Sequence, residues 1–198
     1  MLNLFPCEKR RETSALDLIV SFTPTPTFLH AKTLAALAAA LLAVDQWVKL
    51  WITNNLPLGA SQPFLSGLVE LHTVHNYGAA WSSFSGQRWL LLGVTGCIVT
   101  AVIVLLARRI VRHPLGLTAC FLILSGGIGN IIDRLRLGYV VDMFHFEFWP
   151  SYPVFNVADI CVVCGCVLGA VYYLWFYEKY DRKPKKGESD GDSDAPTE

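Results

Sequence analysis

The sequence predicts a membrane protein whose all-α core consists of four transmembrane helices, with a small extracytoplasmic platform that contains β-structure. The first observation is composition: 53% of the 198 residues are hydrophobic, 16% are charged and the mean hydropathy is +0.42, too apolar for an ordinary soluble domain. The second is that four apolar segments each approach the roughly 20 residues needed to cross a bilayer. The formal net charge is +0, and no basic patch interleaved with aromatic residues indicates a nucleic-acid partner.

The predicted spans divide the chain into three parts. Their approximate limits are residues 34–52, 89–107, 115–132 and 154–176. Residues 1–30 are polar and lack the features of a secretory signal peptide, which predicts a cytoplasmic amino-terminal extension. Residues 31–180 are predicted to form the membrane domain, and residues 181–198, which are rich in Ser and Asp, a disordered cytoplasmic tail.

The connections between the spans differ in length and pattern. Residues 53–88 form a long connection with an alternating apolar and polar run at 68–74, which predicts a short half-buried strand or hairpin at the membrane face. Residues 108–114 form a tight basic loop, which is expected to leave no room for a catalytic site. The last connection, residues 134–153, is rich in aromatic residues.

The placement of basic residues predicts the orientation, because Lys and Arg accumulate on the cytoplasmic side of a membrane. They cluster before the first span, in the tight loop and after the last span. Both termini are therefore expected to be cytoplasmic, and the two longer connections are expected to face outward. The basic residues concerned are Lys9, Arg10, Arg11, Lys32, Arg108, Arg109, Arg112, Lys179, Arg182, Lys183, Lys185 and Lys186.

Cysteines could in principle indicate a metal site or disulfides. The cluster formed by Cys161, Cys164 and Cys166 could ligate a metal, but no second cysteine pair or matched histidine pair completes a tetrahedral set. The favoured interpretation is that these small, moderately apolar side chains fill contacts between helices. We therefore expect no metal.

Two carboxylates, Asp142 and Asp159, stand near the two ends of the last connection, and Asp159 enters the fourth span. An acid in or beside hydrocarbon is costly, so we expect the two to be partners. Two carboxylates in one pocket cannot both ionise cheaply and divide into an acid and a base, which suits attack of water on an amide carbonyl. The sequence leaves open that each acid instead caps a helix or pairs with Arg134 or Arg136.

Further polar residues stand near these acids in the predicted topology. Asp45 and Lys49 are four residues apart in the first span, with the acid first, which favours an intrahelical ion pair. The third span closes with a glycine-rich stretch that suits close helix packing, followed by Asn130, Asp133 and Arg134. For Asp133 and Arg134 a structural role is favoured, in which they anchor the last connection and orient Asp142.

Two other classes of function fit parts of this pattern. A small proton-coupled transporter could use Asp45, Lys49, Asp133 and Asp159 as a relay, although the acids cluster toward one face and no inverted pair of broken helices is evident. A membrane scaffold could use the glycine-rich helix for assembly, but this role leaves the paired acids unexplained.

Five motifs in order resemble the lipoprotein signal peptidases, the bacterial signal peptidase II family, over about residues 34–176. They are Asp45-Gln-x-x-Lys49, Asn76-x-Gly-Ala-Ala, Gly126-Gly-x-Gly-Asn130-x-x-Asp133-Arg134, Gly138-x-Val-Val-Asp142 and Phe155-Asn156-x-Ala158-Asp159. The resemblance implies a four-helix aspartyl protease of the bacterial inner membrane. Such an enzyme removes the signal peptide from prolipoproteins, on the amino side of a cysteine that already carries diacylglycerol.

The same resemblance implies roles for individual residues. The family's catalytic aspartates fall on Asp142 and Asp159. Positions that bind substrate or support this pair fall on Asp45, Lys49, Asn76, Gly126, Asn130, Asp133, Arg134, Asn156 and Ala158. The implied partners are the diacylglyceryl-prolipoprotein, membrane lipid and the cyclic peptide inhibitor globomycin, and no metal or organic cofactor is implied. Trp81 and Met143 depart from the family, which often has Phe at these positions.

Overall fold

A computed structural model describes residues 26–181. Within this range the long helices are α1 (Pro26–Asn55), α2 (Arg88–Ala107), α3 (Pro114–Arg136) and α4 (Val157–Trp175), followed by the short α5 (Tyr177–Tyr180). The strands are β1 (Ser61–Leu65), β2 (Val69–Asn76) and β3 (Val140–Phe146), and a 3-10 turn covers Ala80–Ser82. Most of the predicted extension and the tail beyond residue 181 lie outside the described residues.

The prediction of four membrane helices is confirmed, because α1 to α4 are each long and apolar enough to cross a bilayer within the described part of the chain. Several of their limits differ from the predicted ones, since α1 and α3 end at Asn55 and Arg136, beyond the predicted 52 and 132. Helix α1 begins at Pro26, ahead of the predicted start at residue 34. Helix α4 begins at Val157, later than predicted, because Asn156 adopts an extended backbone and caps the helix with its side chain.

Helix α3 is the centre of the bundle and packs against α1, α2 and α4. Close approach to α4 depends on Gly126 and Gly165: a Cβ atom on Gly126 would overlap the carbonyl oxygen of Ala158, and one on Gly165 would lie 3.0 Å from the carbonyl oxygen of Ala119. This is the small-residue packing predicted for the glycine-rich stretch. By contrast, α2 buries few side chains and presents most of its surface to lipid.

The predicted β-containing platform is also confirmed, as an antiparallel sheet in the order β1-β2-β3. The alternating run in the sequence becomes β2, whose Leu71 and Thr73 are buried while β1 is exposed throughout. A register shift between Leu71 and Val74 sets Val74 opposite Asp142 and Asn76 opposite Val140. A cluster that contains Ile52, Leu71 and Met143 joins the sheet to the end of α1.

The end of the bundle opposite the sheet contains the tight loop between α2 and α3 and the last described residues. Asp181, predicted to be the first residue of a disordered tail, is 8% exposed. Its Oδ2 accepts hydrogen bonds from the hydroxyl of Tyr172 at 2.6 Å and from the backbone nitrogens of Arg112 and His113 at 3.1 Å each. These contacts tie Asp181 to the loop between α2 and α3 and to α4.

Candidate active site at the platform end

The start of α4 positions Asp159. The side-chain oxygen of Asn156 accepts a hydrogen bond from the backbone nitrogen of Asp159 at 2.9 Å, and Asp159 Oδ2 accepts one from the backbone nitrogen of Asn156 at 3.2 Å. This reciprocal capping box satisfies two of the free N–H groups at the helix start. Asp159 thus takes part in capping α4, as one of the alternatives proposed. Only its Oδ2 atom is used for the cap, and Oδ1 accepts a hydrogen bond from Asn130.

Strand β3 positions Asp142, which is 1% exposed. Its Oδ2 accepts a hydrogen bond from Asn76 Nδ2 at 2.9 Å, and its Oδ1 accepts one from Asn156 Nδ2 at 2.6 Å. Burial, together with the nearby charge of Asp159, raises the pKa of Asp142 to about 7, although the two amide hydrogen bonds and Lys49 act in the opposite direction. This carboxyl group is thus able to hold a proton near neutral pH.

Two asparagine side chains connect the acids. Asn130 Nδ2 donates to Asp159 Oδ1 at 2.8 Å, and Asn156 Nδ2 donates both to Asp142 Oδ1 and to Asn130 Oδ1, the latter at 3.2 Å. We expected Asp142 and Asp159 to be partners, and they do influence each other through charge. Their hydrogen bonds, however, run to amides, so the link between them is indirect.

A buried ion cluster lies behind the asparagines. Lys49 Nζ is 2.9 Å from Asp45 Oδ2, which confirms the predicted intrahelical pair, and it is also 2.9 Å from Asp133 Oδ2. The same nitrogen donates to Asn130 Oδ1 at 3.1 Å. Lys49 therefore joins two carboxylates to the amide that contacts Asp159.

The ion cluster also fixes the two segments that carry the acids. Asp45 Oδ1 accepts a hydrogen bond from the backbone nitrogen of Ala158 at 2.9 Å, which ties α1 to the first turn of α4. Asp133 Oδ2 accepts one from the backbone nitrogen of Val141, next to Asp142, at 3.3 Å. The predicted role of Asp133 in anchoring the last connection agrees with this contact.

Arg134 contacts a different part of the site. Its guanidinium donates to the carbonyl oxygen of Gly78 at 3.0 Å and so holds the segment that follows β2. In the same segment Trp81 has a positive φ of 52°, and its indole nitrogen donates to the carbonyl oxygen of Ser151 at 3.2 Å. Trp81, one of the two residues that depart from the family pattern, therefore links the two connections of the platform.

Sequence reasoning missed Gln46 and Gly129 as parts of this arrangement. Gln46 Nε2 donates to Asp45 Oδ2 and to Asp133 Oδ1, both at 3.1 Å. A Cβ atom on Gly129 would lie 2.7 Å from Asp45 Oδ2, so this position has no room for a side chain. Both residues belong to the sequence motifs described above, and this membership could have indicated their role.

The polar groups face a cavity of about 310 Å³ between the platform and helices α2, α3 and α4. One part of its lining is polar and consists of Asn76, Asn130, Arg134, Asp142 and Asp159. The rest of the lining is mostly apolar and includes Ile98 and Val99 of α2 and Val162 and Val163 of α4. The cavity can therefore hold a molecule that is polar at one end and apolar along its length.

Among the described residues, no group of three or more His, Cys, Asp or Glu side chains is arranged to hold a metal ion. Cys161 is a buried free thiol of α4, whereas Cys164 and Cys166 are exposed free thiols on the same helix. The arrangement instead offers two carboxyl groups, Asp142 and Asp159, beside amide donors.

The family model described as Signal peptidase (SPase) II matches residues 37–176. Lipoprotein signal peptidases of Streptococcus pyogenes serotypes M6, M5 and M2 are each 41% identical over 140 residues, covering 71% of this chain and 91% of theirs. Two solved structures described as bacterial membrane enzyme structures by the in meso method are each 26% identical. They have TM-scores of 0.70 and 0.67, covering 78% and 73% of this chain and 95% and 94% of theirs. The chain therefore belongs to the signal peptidase II family and is a membrane peptidase of lipoprotein processing.

Proposed function

We propose that this chain is an aspartyl endopeptidase that cuts diacylglyceryl-modified prolipoproteins on the amino side of the lipidated cysteine. The observation that carries the proposal is that Asp142 and Asp159 line one cavity and are joined through Asn130 and Asn156. Neither acid is accounted for by an ion pair with Arg134 or Arg136, since Arg134 donates to the carbonyl oxygen of Gly78 and Arg136 is exposed. Two unequal carboxyl groups beside a cavity suit water-mediated hydrolysis of an amide.

The environments of the two acids suggest how they divide the work. Asp142, with its pKa raised to about 7, carries the proton in the resting enzyme. Asp159 is less buried than Asp142, lies in the first turn of α4, where the helix dipole stabilises a negative charge, and accepts hydrogen bonds from a backbone N–H and an amide. Asp159 is therefore the base and Asp142 the acid.

In the proposed reaction, Asp159 takes a proton from a water molecule while the water oxygen bonds to the scissile carbonyl carbon. Asp142 gives its proton to the carbonyl oxygen, which forms a neutral tetrahedral intermediate. When the carbon–nitrogen bond breaks, the leaving amine takes the proton from Asp159. Asp142 recovers a proton from a hydroxyl of the intermediate, so both acids return to their starting states.

The remaining site residues are proposed to position these groups. Asp45, Lys49 and Asp133 hold the start of α4 and the strand that carries Asp142, through contacts to Ala158 and Val141. Gly126 allows α4 to approach α3. Asn76 and Arg134 line the cavity beside the acids, where they can also contact a peptide.

The lining of the cavity supports a substrate that combines peptide and lipid. A peptide carbonyl can reach the polar part, while the diacylglyceryl chains follow the apolar part toward the bilayer. Globomycin is proposed to occupy the same cavity as an inhibitor. We further propose that the enzyme lies in the bacterial inner membrane with both termini cytoplasmic and the cavity at the outer face, as the basic residues predict.

The deciding experiment is cleavage of a diacylglyceryl-modified prolipoprotein by the purified full-length chain in detergent, with and without globomycin. We expect globomycin-sensitive cleavage on the amino side of the modified cysteine, and none from Asp142→Asn or Asp159→Asn. Both variants should remain folded and membrane-inserted, because each keeps the volume of the side chain. An active variant at either position would refute the assigned acid pair. Proton flux in proteoliposomes without any cleavage would favour the transporter.

A further inference from the structure

A second cavity of about 1100 Å³ lies at the opposite end of the bundle from the acids. Three arginines of the α2–α3 loop line it, namely Arg108, Arg109 and Arg112, and all three are exposed. The rest of the lining is mostly apolar and comes from α2 and α3, with Ile103, Leu106, Leu117 and Phe121 among its members. The cavity therefore combines a cationic rim with an apolar floor that continues into the membrane span.

The loop that presents the arginines is held in one geometry. Arg109 adopts a left-handed backbone conformation with φ of 51°, which is unfavourable for a residue other than glycine. Its carbonyl oxygen accepts a hydrogen bond from Arg112 Nε at 3.2 Å. The side chain of Asp181 then holds the backbone of Arg112 and His113 from the side of α5. The rim is thus built by contacts between distant parts of the chain.

One negative charge belongs to the same lining. Burial raises the pKa of Asp181, but hydrogen bonds from Tyr172, Arg112 and His113 outweigh it and hold the pKa below its ordinary value. Asp181 is therefore ionised at neutral pH. Three arginines against one carboxylate still leave the lining with a net positive charge.

We propose that this cavity binds an anionic phospholipid, with the phosphate on the arginines and an acyl chain on the apolar floor. The charge of the rim complements a phosphate, and basic residues at a membrane surface attract anionic headgroups. Two anionic groups could occupy the cavity, a phospholipid headgroup or the acidic end of this chain, and the apolar floor favours the phospholipid. The acidic end of this chain, residues 188–198, could satisfy the arginines but carries no apolar side chain larger than that of Ala195 or Pro196 to cover Ile103 or Phe121. An anionic phospholipid satisfies both parts.

The test measures phosphatidylglycerol bound to the purified full chain by native mass spectrometry from detergent, with phosphatidylcholine as the neutral reference. We expect one phosphatidylglycerol to be retained in preference to phosphatidylcholine. Arg109→Gln with Arg112→Gln should weaken the retention about thirtyfold, since each basic residue near an anionic surface contributes on the order of 1 kcal/mol. The proposal fails if this double variant retains the lipid as the parent does, or if both lipids bind equally.

Three controls separate charge from folding and from the tail. Arg136→Gln removes one exposed arginine at the other end of α3 and should leave retention unchanged. Arg109→Lys with Arg112→Lys keeps the charge and should keep most of the binding, which shows that the loop tolerates substitution. A chain that ends at residue 186 should bind the lipid like the parent. If that truncation instead creates phosphatidylglycerol binding that the full chain lacks, the acidic tail occupies the cavity and the lipid proposal is overturned.

Discussion

Asn156 donates a hydrogen bond of 2.6 Å from its side-chain nitrogen to Asp142 Oδ1, while its side-chain oxygen accepts one from the backbone nitrogen of Asp159. One fully buried amide thus contacts both residues of the proposed acid pair. It also starts helix α4. A single side chain therefore fixes the start of the helix that carries Asp159 and also orients Asp142.

Asn156→Ser separates the two roles of this amide. Serine keeps an oxygen that can accept from the backbone nitrogen of Asp159, so the helix cap should be preserved, and the melting temperature should fall only through the lost contacts to Asp142 and Asn130. It cannot reach Asp142 and Asn130, and we expect kcat to fall about tenfold to hundredfold, as for a lost hydrogen bond to a charged group. Asn156→Ala is the matched variant, which should also lose about 1 kcal/mol of stability. Full activity of the serine variant would show that Asn156 serves only as a helix cap and does not orient Asp142.

Proteolysis should fall as pH rises through about 7, because Asp142 loses the proton that the proposed mechanism requires. The sign follows from the raised pKa: below it the carboxyl group is protonated and competent, and above it the group is an anion. The measurement is kcat/KM against pH with a substrate that has no titrating group in this range. A rate that keeps rising between pH 7 and 9 would assign the proton to another group.

Lys49→Met should destabilise the protein strongly. Lys49 lies 2.9 Å from both Asp45 and Asp133, and removing the cation leaves two buried carboxylates close together without compensation. Breaking a buried ion pair in this way costs about 3–5 kcal/mol. Thermal unfolding in detergent measures the loss. Adding Asp133→Asn to Lys49→Met removes one of the two charges and should recover part of it, and a double variant no more stable than Lys49→Met would argue against a charge origin.

Gly126→Ala tests the contact between α3 and α4. Its new methyl group would overlap the carbonyl oxygen of Ala158 and lie 2.7 Å from Val162 Cγ2, so the helices must separate. Overpacking of this kind costs about 1–3 kcal/mol, and we expect a lower melting temperature together with lower activity. Gly93→Ala in α2 is the control, since its methyl group would meet nothing within 4 Å. Equal effects of the two substitutions would mean that helix propensity, and not packing, decides the outcome.

Much of the fold could be predicted because its signals are local. Length and hydropathy determine which segments span the membrane, and an alternating run at 68–74 is enough to indicate the strand that the structure extends to Asn76. The exact start of α4 could not be read in this way. Hydropathy continues through Val154 and Phe155, whereas a pairing of Phe155 with Phe144 keeps this segment extended until Asn156 caps the helix.

The contacts of the site required three-dimensional information. The sequence showed Asp45 and Lys49 as a pair on one helix, but it gave no reason to expect Asp133 as a second partner of Lys49. Likewise, nothing in the order of residues indicates that Asn130 and Asn156 stand between the acids. Such links join segments far apart in the chain, and a linear pattern records only the residue types.

The dependence of the site on α4 has a consequence for biogenesis. Asp159 enters with the last membrane helix, and Asp45 of the first helix is bonded to the backbone of that same turn. A nascent chain whose fourth helix has not yet inserted therefore has one acid of the proposed pair and lacks the hydrogen bond from Ala158 to Asp45. If the proposed acid pair is the hydrolytic centre, its assembly coincides with completion of the bundle, and an unfinished chain is expected to be unable to cleave its neighbours in the membrane.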